Sequence, residues 1–235
     1  MGYNLRGMNK GRGLILAGLA FGLAPGCGEA RSPPAMADAK SQSPLASADA
    51  KSQSIRADLY QCDGCEAALE RDPASLGTEA VIAHSDEPGE PIIIEGVVFQ
   101  ADGGTPAANV VIYAYHTNAA GFYAGGSQET EASRRHGRLR GWVRTGPDGR
   151  YRFRSIKPAP YPDNSMPAHV HLMVREPARR PYWIDEIVFQ GEFGVTEAYR
   201  RTQTGRGGSG ITQLTRSPQG VWIARRNIVL ERHPG

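Results

Sequence analysis

At 235 residues, with 27 Lys and Arg against 24 Asp and Glu, the chain is long enough for one substantial domain plus extensions, and its net charge of +3 is slight. So even a balance does not suggest a nucleic-acid partner. The basic cluster Arg134, Arg135, Arg138 and Arg140 has no interleaved aromatics and matches no reader motif. It reads as a solvated loop, with an anionic ligand as the lesser alternative.

The chain opens with basic Arg6, Lys10 and Arg12, the apolar run Leu14 to Leu23, and a small-residue exit at Ala24-Pro25-Gly26-Cys27. This is the pattern of an export signal over residues 1–27, and its apolar run is too short for a comfortable membrane span. Cys27 behind a small residue resembles the bacterial lipoprotein cleavage site, although Leu23 sits one place further from the cysteine than usual. The expectation is an exported protein, periplasmic or held at the cell envelope, with a lipid anchor on Cys27 and a simply cleaved signal as the two options. Residues 28–57 are rich in Ser, Ala, Pro, Asp and Lys, and the heptad Ala-Asp-Ala-Lys-Ser-Gln-Ser stands at both 37–43 and 48–54. A repeat this short cannot bury a core, so the segment is expected to be a disordered tether.

Residues 58–90 form an extension carrying Cys62-Asp-Gly-Cys65. In an exported protein the first expectation is a local disulfide between Cys62 and Cys65. A thioredoxin-type centre would need a βαβ context, and zinc a second ligand pair; neither is present in the flanks.

From residue 91 to 235 the pattern is short apolar or alternating runs split by Gly, Pro, Asn and Asp. Strands are predicted at Ile92–Phe99, Asn109–His116, Gly141–Arg144, Arg150–Arg154, Ala168–Arg175, Trp183–Gln190 and Val221–Leu230, with turns such as Gly146-Pro-Asp-Gly149 between them. Strands at this spacing, without a long amphipathic helix, predict an all-β sandwich. Asn109–His116 alternates apolar and aromatic residues in a way that suggests cover on both faces. Gly205 to Gly210 reads as a flexible loop, since a phosphate cradle would need a following helix and a Walker lysine.

The residues from Tyr161 to His171 carry the most chemistry. On a strand, His169 and His171 project from one face while Ala168, Val170, Leu172 and Val174 project from the other. Two imidazoles at i and i+2 can reach one metal ion, and Tyr161, set by Pro162 in an extended or turn conformation, is near enough in sequence to join them. The plain alternative is a pair of solvated histidines. Tyr123, just after a strand, reads by itself as a packed loop tyrosine.

Taken together, Gly96-Val-Val-Phe, Thr105-Pro-Ala-Ala-Asn-Val-Val-Ile-Tyr-Ala-Tyr, Asn118-Ala-Ala-Gly-Phe-Tyr123, Thr145-Gly-Pro-Asp-Gly-Arg-Tyr-Arg-Phe-Arg-Ser-Ile-Lys-Pro-Ala-Pro-Tyr161-Pro and Pro167-Ala-His169-Val-His171 form an ordered series. This series resembles the intradiol ring-cleavage dioxygenases, the family of catechol and protocatechuate dioxygenases, over roughly residues 92 to 191. The resemblance implies a mononuclear non-haem Fe(III) site on a β-sandwich, ligated by Tyr123, Tyr161, His169 and His171. A trivalent ion is a hard Lewis acid that favours phenolate oxygen and holds a tyrosine deprotonated far below its free pKa of about 10. It further implies a catecholic substrate and O2, with the ring opened between its two hydroxyl-bearing carbons, and Tyr161 leaving the metal to help accept a substrate proton.

Two departures bear on catalysis. Met166 stands where the family has an arginine before Pro-Ala-His, and Glu186 aligns with a family glutamine. Both changes would disfavour an acidic substrate and slow oxygen attack. Arg175, on the face of His169 and His171, reads as a solvated side chain, with a compensating cation as the lesser alternative. The spacer from Tyr161 to His169 is also shorter than in well-known members. The rival functions are an iron-binding homologue with lost or altered activity and a non-catalytic envelope binding module. An oligomer is compatible with either.

Overall fold

The structure, a computed structural model, describes residues 54–234. The export signal, Cys27 and nearly all of the tether lie outside the described residues.

Among the described residues, eleven strands make two sheets. The first is ordered β1 (Glu79–Val81), β5 (Arg150–Ile156), β2 (Pro91–Phe99), β10 (Trp222–Arg225) and β9 (Leu214–Arg216), with β11 (Ile228–Val229) also pairing β2. The second is ordered β4 (Arg140–Arg144), β3 (Val111–His116), β6 (His169–Arg175), β7 (Tyr182–Phe189) and β8 (Ile211–Thr212). Ile92, Ile94 and Phe153 from one sheet meet Ile112, Val143, Val170 and Leu172 from the other in one apolar core. That is the all-β sandwich the alternating runs predict: period-2 patterning buries one face of each strand against the opposite sheet. The only α-helix among the described residues is the single short α1 (Glu197–Thr202), N-capped by Thr196, whose side chain accepts from the Tyr199 N–H at 3.3 Å.

Strand β3 is buried along its whole length, as its two-sided pattern suggests. Its second face, with Val111, Tyr113 and Tyr115, packs with Trp142 and Met173 beneath Cys65, Ala67 and Ala68. The disulfide part of segment 58–90 is therefore folded onto the outer face of the second sheet, while β1 of the same segment joins the first sheet. Trp142 Nε1 donates to the Ala67 carbonyl at 2.9 Å, Trp183 Nε1 donates to the Gln61 carbonyl at 3.2 Å, and Cys62 and Cys65 are joined as a disulfide.

Two expectations about local structure change. Val221–Leu230 is not one strand but β10 and β11, broken at Arg226, whose carbonyl crosses so close to Gly96 that a Cβ there would sit 1.9 Å from it. The Gly205–Gly210 loop is anchored rather than flexible. The buried Arg226 guanidinium donates to the carbonyl of Gly208 at 3.0 Å and to that of Ser209, so the loop wraps a cation that has no water to solvate it.

His116 ties the sheets together. It is 1% exposed; Nδ1 donates to the Thr117 carbonyl at 2.7 Å, and Nε2 accepts from Ser155 Oγ, on β5, at 2.6 Å. Burial pulls its pKa from 6.5 down to about 4. The unfolded chain then binds the extra proton first as pH falls, so stability is full above about 6.5 and drains away toward 4. We expect a loss of about 3 kcal/mol across that window, read from denaturation midpoints, and a flatter profile in His116→Gln. Equal slopes in both proteins would show that another group controls acid sensitivity.

Candidate metal centre

The four donors come from two loops and one strand, and a few local constraints align them. After β3 the chain turns through Asn118 to Tyr123: Asn118 Oδ1 accepts from the N–H groups of Ala120 and Phe122, both at 3.0 Å, and the Asn118 N–H donates to the Phe122 carbonyl at 2.9 Å. Gly121 sits at φ 83° in this turn, against the carbonyl of Pro160, where a Cβ would be 2.2 Å from the oxygen. Glycine is needed there on both counts, and its lack of a side chain lets the Tyr123 turn lie on the segment leading to Tyr161.

Tyr161 begins a short loop closed on itself: its N–H donates to the Met166 carbonyl at 3.2 Å and its carbonyl accepts from Asn164, which takes the left-handed φ of 57°. This closure delivers the chain to β6 within a few residues, which accounts for the short spacer. On β6, His169 Nδ1 donates to the Pro167 carbonyl at 2.7 Å. A carbonyl can only accept, so the His169 proton is on Nδ1 and Nε2 presents a bare lone pair.

Four side-chain atoms meet. Tyr123 Oη lies 2.9 Å from Tyr161 Oη, 3.2 Å from His169 Nε2 and 2.9 Å from His171 Nε2, and the two Nε2 atoms are 3.0 Å apart. Separations of this size are those of neighbouring vertices around one ion with bonds of about 2.0–2.1 Å. Among the described residues, no three His, Cys, Asp or Glu side chains gather to hold an ion, so this set depends on its phenols. Burial and the Tyr161 hydroxyl push the Tyr123 phenol's pKa up, and burial, followed by the neighbouring His169, pulls that of His171 well down. Uncharged, the cluster is two imidazole nitrogens and two phenols. Two of its four atoms can become anionic oxygens, which fits a hard trivalent ion.

The centre opens on a cavity of about 600 Å³ walled by Tyr115, Tyr123, Tyr161, His171, His136 and the Asp63-Gly64 turn of the disulfide segment. A smaller space of about 250 Å³ shares Asp63, Tyr115 and His171 with it and reaches Cys62 and Glu186. Glu186 Oε1 accepts from Tyr199 Oη of α1 at 3.1 Å. Met166 is half-buried and lines neither space. Arg175 also lines neither. It pairs with Val111 four residues beyond His171, roughly 13 Å along the strand, and supplies no cation to the site.

The basic cluster is dispersed into ion pairs. Arg135 meets Asp63 at 3.3 Å, Arg138 meets Glu87, and Arg140, far from solvated, lies between Glu70 at 3.7 Å and Glu129 at 3.6 Å. Sequence reasoning passed over His136 and the phenols of Tyr113 and Tyr115. The two tyrosines carried a signal, large polar-tipped rings alternating on one strand face, but His136 sits in an arginine-rich loop with none.

A family model described as Dioxygenase matches residues 68–199, more than half of the chain. Catechol 1,2-dioxygenase 1 of Acinetobacter lwoffii is 31% identical over 120 residues, 44% of this chain and 38% of that protein. Catechol 1,2-dioxygenase 2 of the same organism is 28% identical over 158 residues, 56% and 55% of the two chains. The chlorocatechol 1,2-dioxygenase of Cupriavidus pinatubonensis is 27% identical over 155 residues, 57% and 58%. The chain thus spans about half the length of the curated relatives it matches. The mercury-inhibited catechol 1,2-dioxygenase structure from Acinetobacter sp. ADP1 aligns with a TM-score of 0.49 at 21% identity, covering 72% of this chain and 67% of that one.

Proposed function

Because this chain belongs to the intradiol ring-cleavage dioxygenase family, we propose that it is a non-haem iron(III)-dependent enzyme that opens a catecholic ring between its two hydroxyl-bearing carbons with O2. The observation that carries this reading is the meeting of four side chains, with Tyr123 Oη 2.9–3.2 Å from Tyr161 Oη and the Nε2 atoms of His169 and His171, and those two nitrogens 3.0 Å apart. Held by these four residues, ferric iron would supply Lewis acidity that activates a bound catecholate toward oxygen.

The residues divide the remaining work. Tyr123 Oη has three of the cluster's atoms around it and His169 is locked through Pro167, so these two are fixed points. Among the described residues Tyr161 Oη has one hydrogen-bond partner, Tyr123, and Tyr161 stands on the cavity wall. It is free to swing aside as substrate enters and to take the substrate's proton at Oη. Tyr115, stacked on His171 at 4.5 Å, keeps that imidazole oriented and covers it from water.

A second reading, an iron-binding homologue with altered activity, is favoured by one feature: a carboxylate, Glu186, lines the space beside His171, and the arginine of the main cavity, Arg135, is already paired with Asp63. Purified protein loaded with ferric iron separates the two. Ring cleavage predicts a visible tyrosinate-to-iron band together with oxygen uptake on a panel of catechol, protocatechuate and hydroxyquinol. The band without uptake supports the altered homologue, and no band after loading sinks the iron reading itself.

Export completes the proposal as an enzyme of the periplasm or cell envelope, with a lipid anchor on Cys27 and a simply cleaved signal as its two forms. They rest on the N-terminal sequence pattern alone.

A further inference from the structure

His136 is part of the cavity wall, and the proposed reaction leaves it unused. It lies on a 3-10 turn (Arg134–His136), is only 5% exposed, and stacks on Tyr115 at 3.9 Å with an interplanar angle of 15°. Its Nδ1 is 2.9 Å from the hydroxyl of Tyr113, a completely buried phenol with no other hydrogen-bond partner among the described residues. A buried hydroxyl must place its hydrogen on an acceptor, and Nδ1 is the one in reach. Tyr113 therefore donates, and the His136 proton resides on Nε2. That N–H has no partner among the described residues, and the ring that carries it is part of the wall of the 600 Å³ cavity.

The disulfide segment keeps that edge of the ring open. Gly64, at φ 79°, passes so near that a Cβ would stand 2.9 Å from His136 Nε2, and only glycine leaves the nitrogen accessible. The cavity is also of a size that takes a drug-sized ligand and so has room for a catechol with a substituent. Its walls include the carboxylates of Asp63, Glu66 and Glu131 and one cation, Arg135, already paired with Asp63. An acidic substituent would find net negative charge, whereas a neutral oxygen would find a fixed N–H.

Building on the ring-cleavage reading, we propose that His136 Nε2–H is a recognition donor, and that the preferred substrates are catechols bearing an uncharged, oxygen-containing substituent rather than a carboxylate. The discriminating pair is hydroxymethylcatechol and ethylcatechol, alike in size and differing in one acceptor, each as its 3- and 4-isomer. Anaerobic calorimetry on the iron-loaded full-length protein gives their Kd values, with protocatechuate alongside.

In the wild type, one hydroxymethyl isomer should bind about fivefold tighter than its ethyl partner, and protocatechuate should bind more weakly than either. His136→Phe, which keeps a stacking ring, should bring the hydroxymethyl-to-ethyl ratio to about one, and His136→Gln, which keeps a donor, should restore part of it. Tyr113→Phe releases the tautomer without touching the cavity wall and should lower the ratio too. It also serves if the His136 variants fail to fold. An unchanged ratio in folded His136→Phe or Tyr113→Phe, or protocatechuate as the tightest ligand, overturns the inference. A wild type that takes up iron yet binds no catechol overturns the ring-cleavage reading beneath it.

Discussion

His169→Ala should abolish stable ferric binding, remove the visible band and lower oxygen-dependent kcat/KM by more than about 100-fold. Loss of a group that merely supports a ligand typically costs about 10–100-fold, and His169 is itself one of the four converging residues. Its ring is 1% exposed and pinned by Pro167, so no neighbouring side chain has room to replace it and water would enter at an apolar strand. Tyr123→Phe should behave alike, because Tyr123 Oη is the atom the other three surround. Tyr161→Phe should differ in kind: with a single hydroxyl contact to lose, it should reduce turnover far more than iron content. Iron content and absorbance measured together with oxygen uptake distinguish these patterns. Normal iron binding and activity in His169→Ala would mean that the converging atoms are not a metal centre.

Gly121→Ala should cost about 3 kcal/mol or more, and should disturb the centre without altering any donor. The left-handed φ of 83° penalises any side chain there, and the new methyl would lie 2.2 Å from the Pro160 carbonyl oxygen, well inside contact distance. The turn must move off the Tyr161 segment to relieve this. The 2.9 Å approach of Tyr123 to Tyr161 then lengthens, and iron uptake weakens along with the thermal midpoint. Gly125 provides the control: it lies nearby in sequence, without a left-handed φ and with nothing within 4 Å of where an added methyl would stand, so Gly125→Ala should stay within about 0.5 kcal/mol of wild type. If the two variants melt together, the close approach at Gly121 has no structural weight.

Parts of the site are local in sequence and others are not. His169 and His171 share a strand face by the two-residue repeat of the backbone, so their pairing needs no knowledge of the rest of the chain. Nothing local makes Tyr123 a neighbour of Tyr161. Their meeting is set by Asn118 folding the turn and by the missing side chain of Gly121, and only a resemblance over many residues pointed to it. Arg175 shows the opposite case, where a shared strand face is not enough. Sharing a face with the histidines made it a candidate cation, but the strand carries it roughly 13 Å beyond His171.

By itself, the amino-acid sequence determined the sandwich and most of its strands, since alternation of apolar and polar residues dictates which face of each strand leaves water, and that choice requires only near neighbours. It also marked both histidines. Tertiary structure alone decided that the Cys62–Cys65 segment walls the cavity, that Arg226 anchors a glycine loop, and that His136 joins the cavity wall with its Nδ1 against the Tyr113 hydroxyl. Each of these joins residues well separated along the chain through packing or a buried polar contact. Such polar contacts exist because a desolvated donor or acceptor must find a partner, and which partner is in reach depends on how the sheets and loops have already packed.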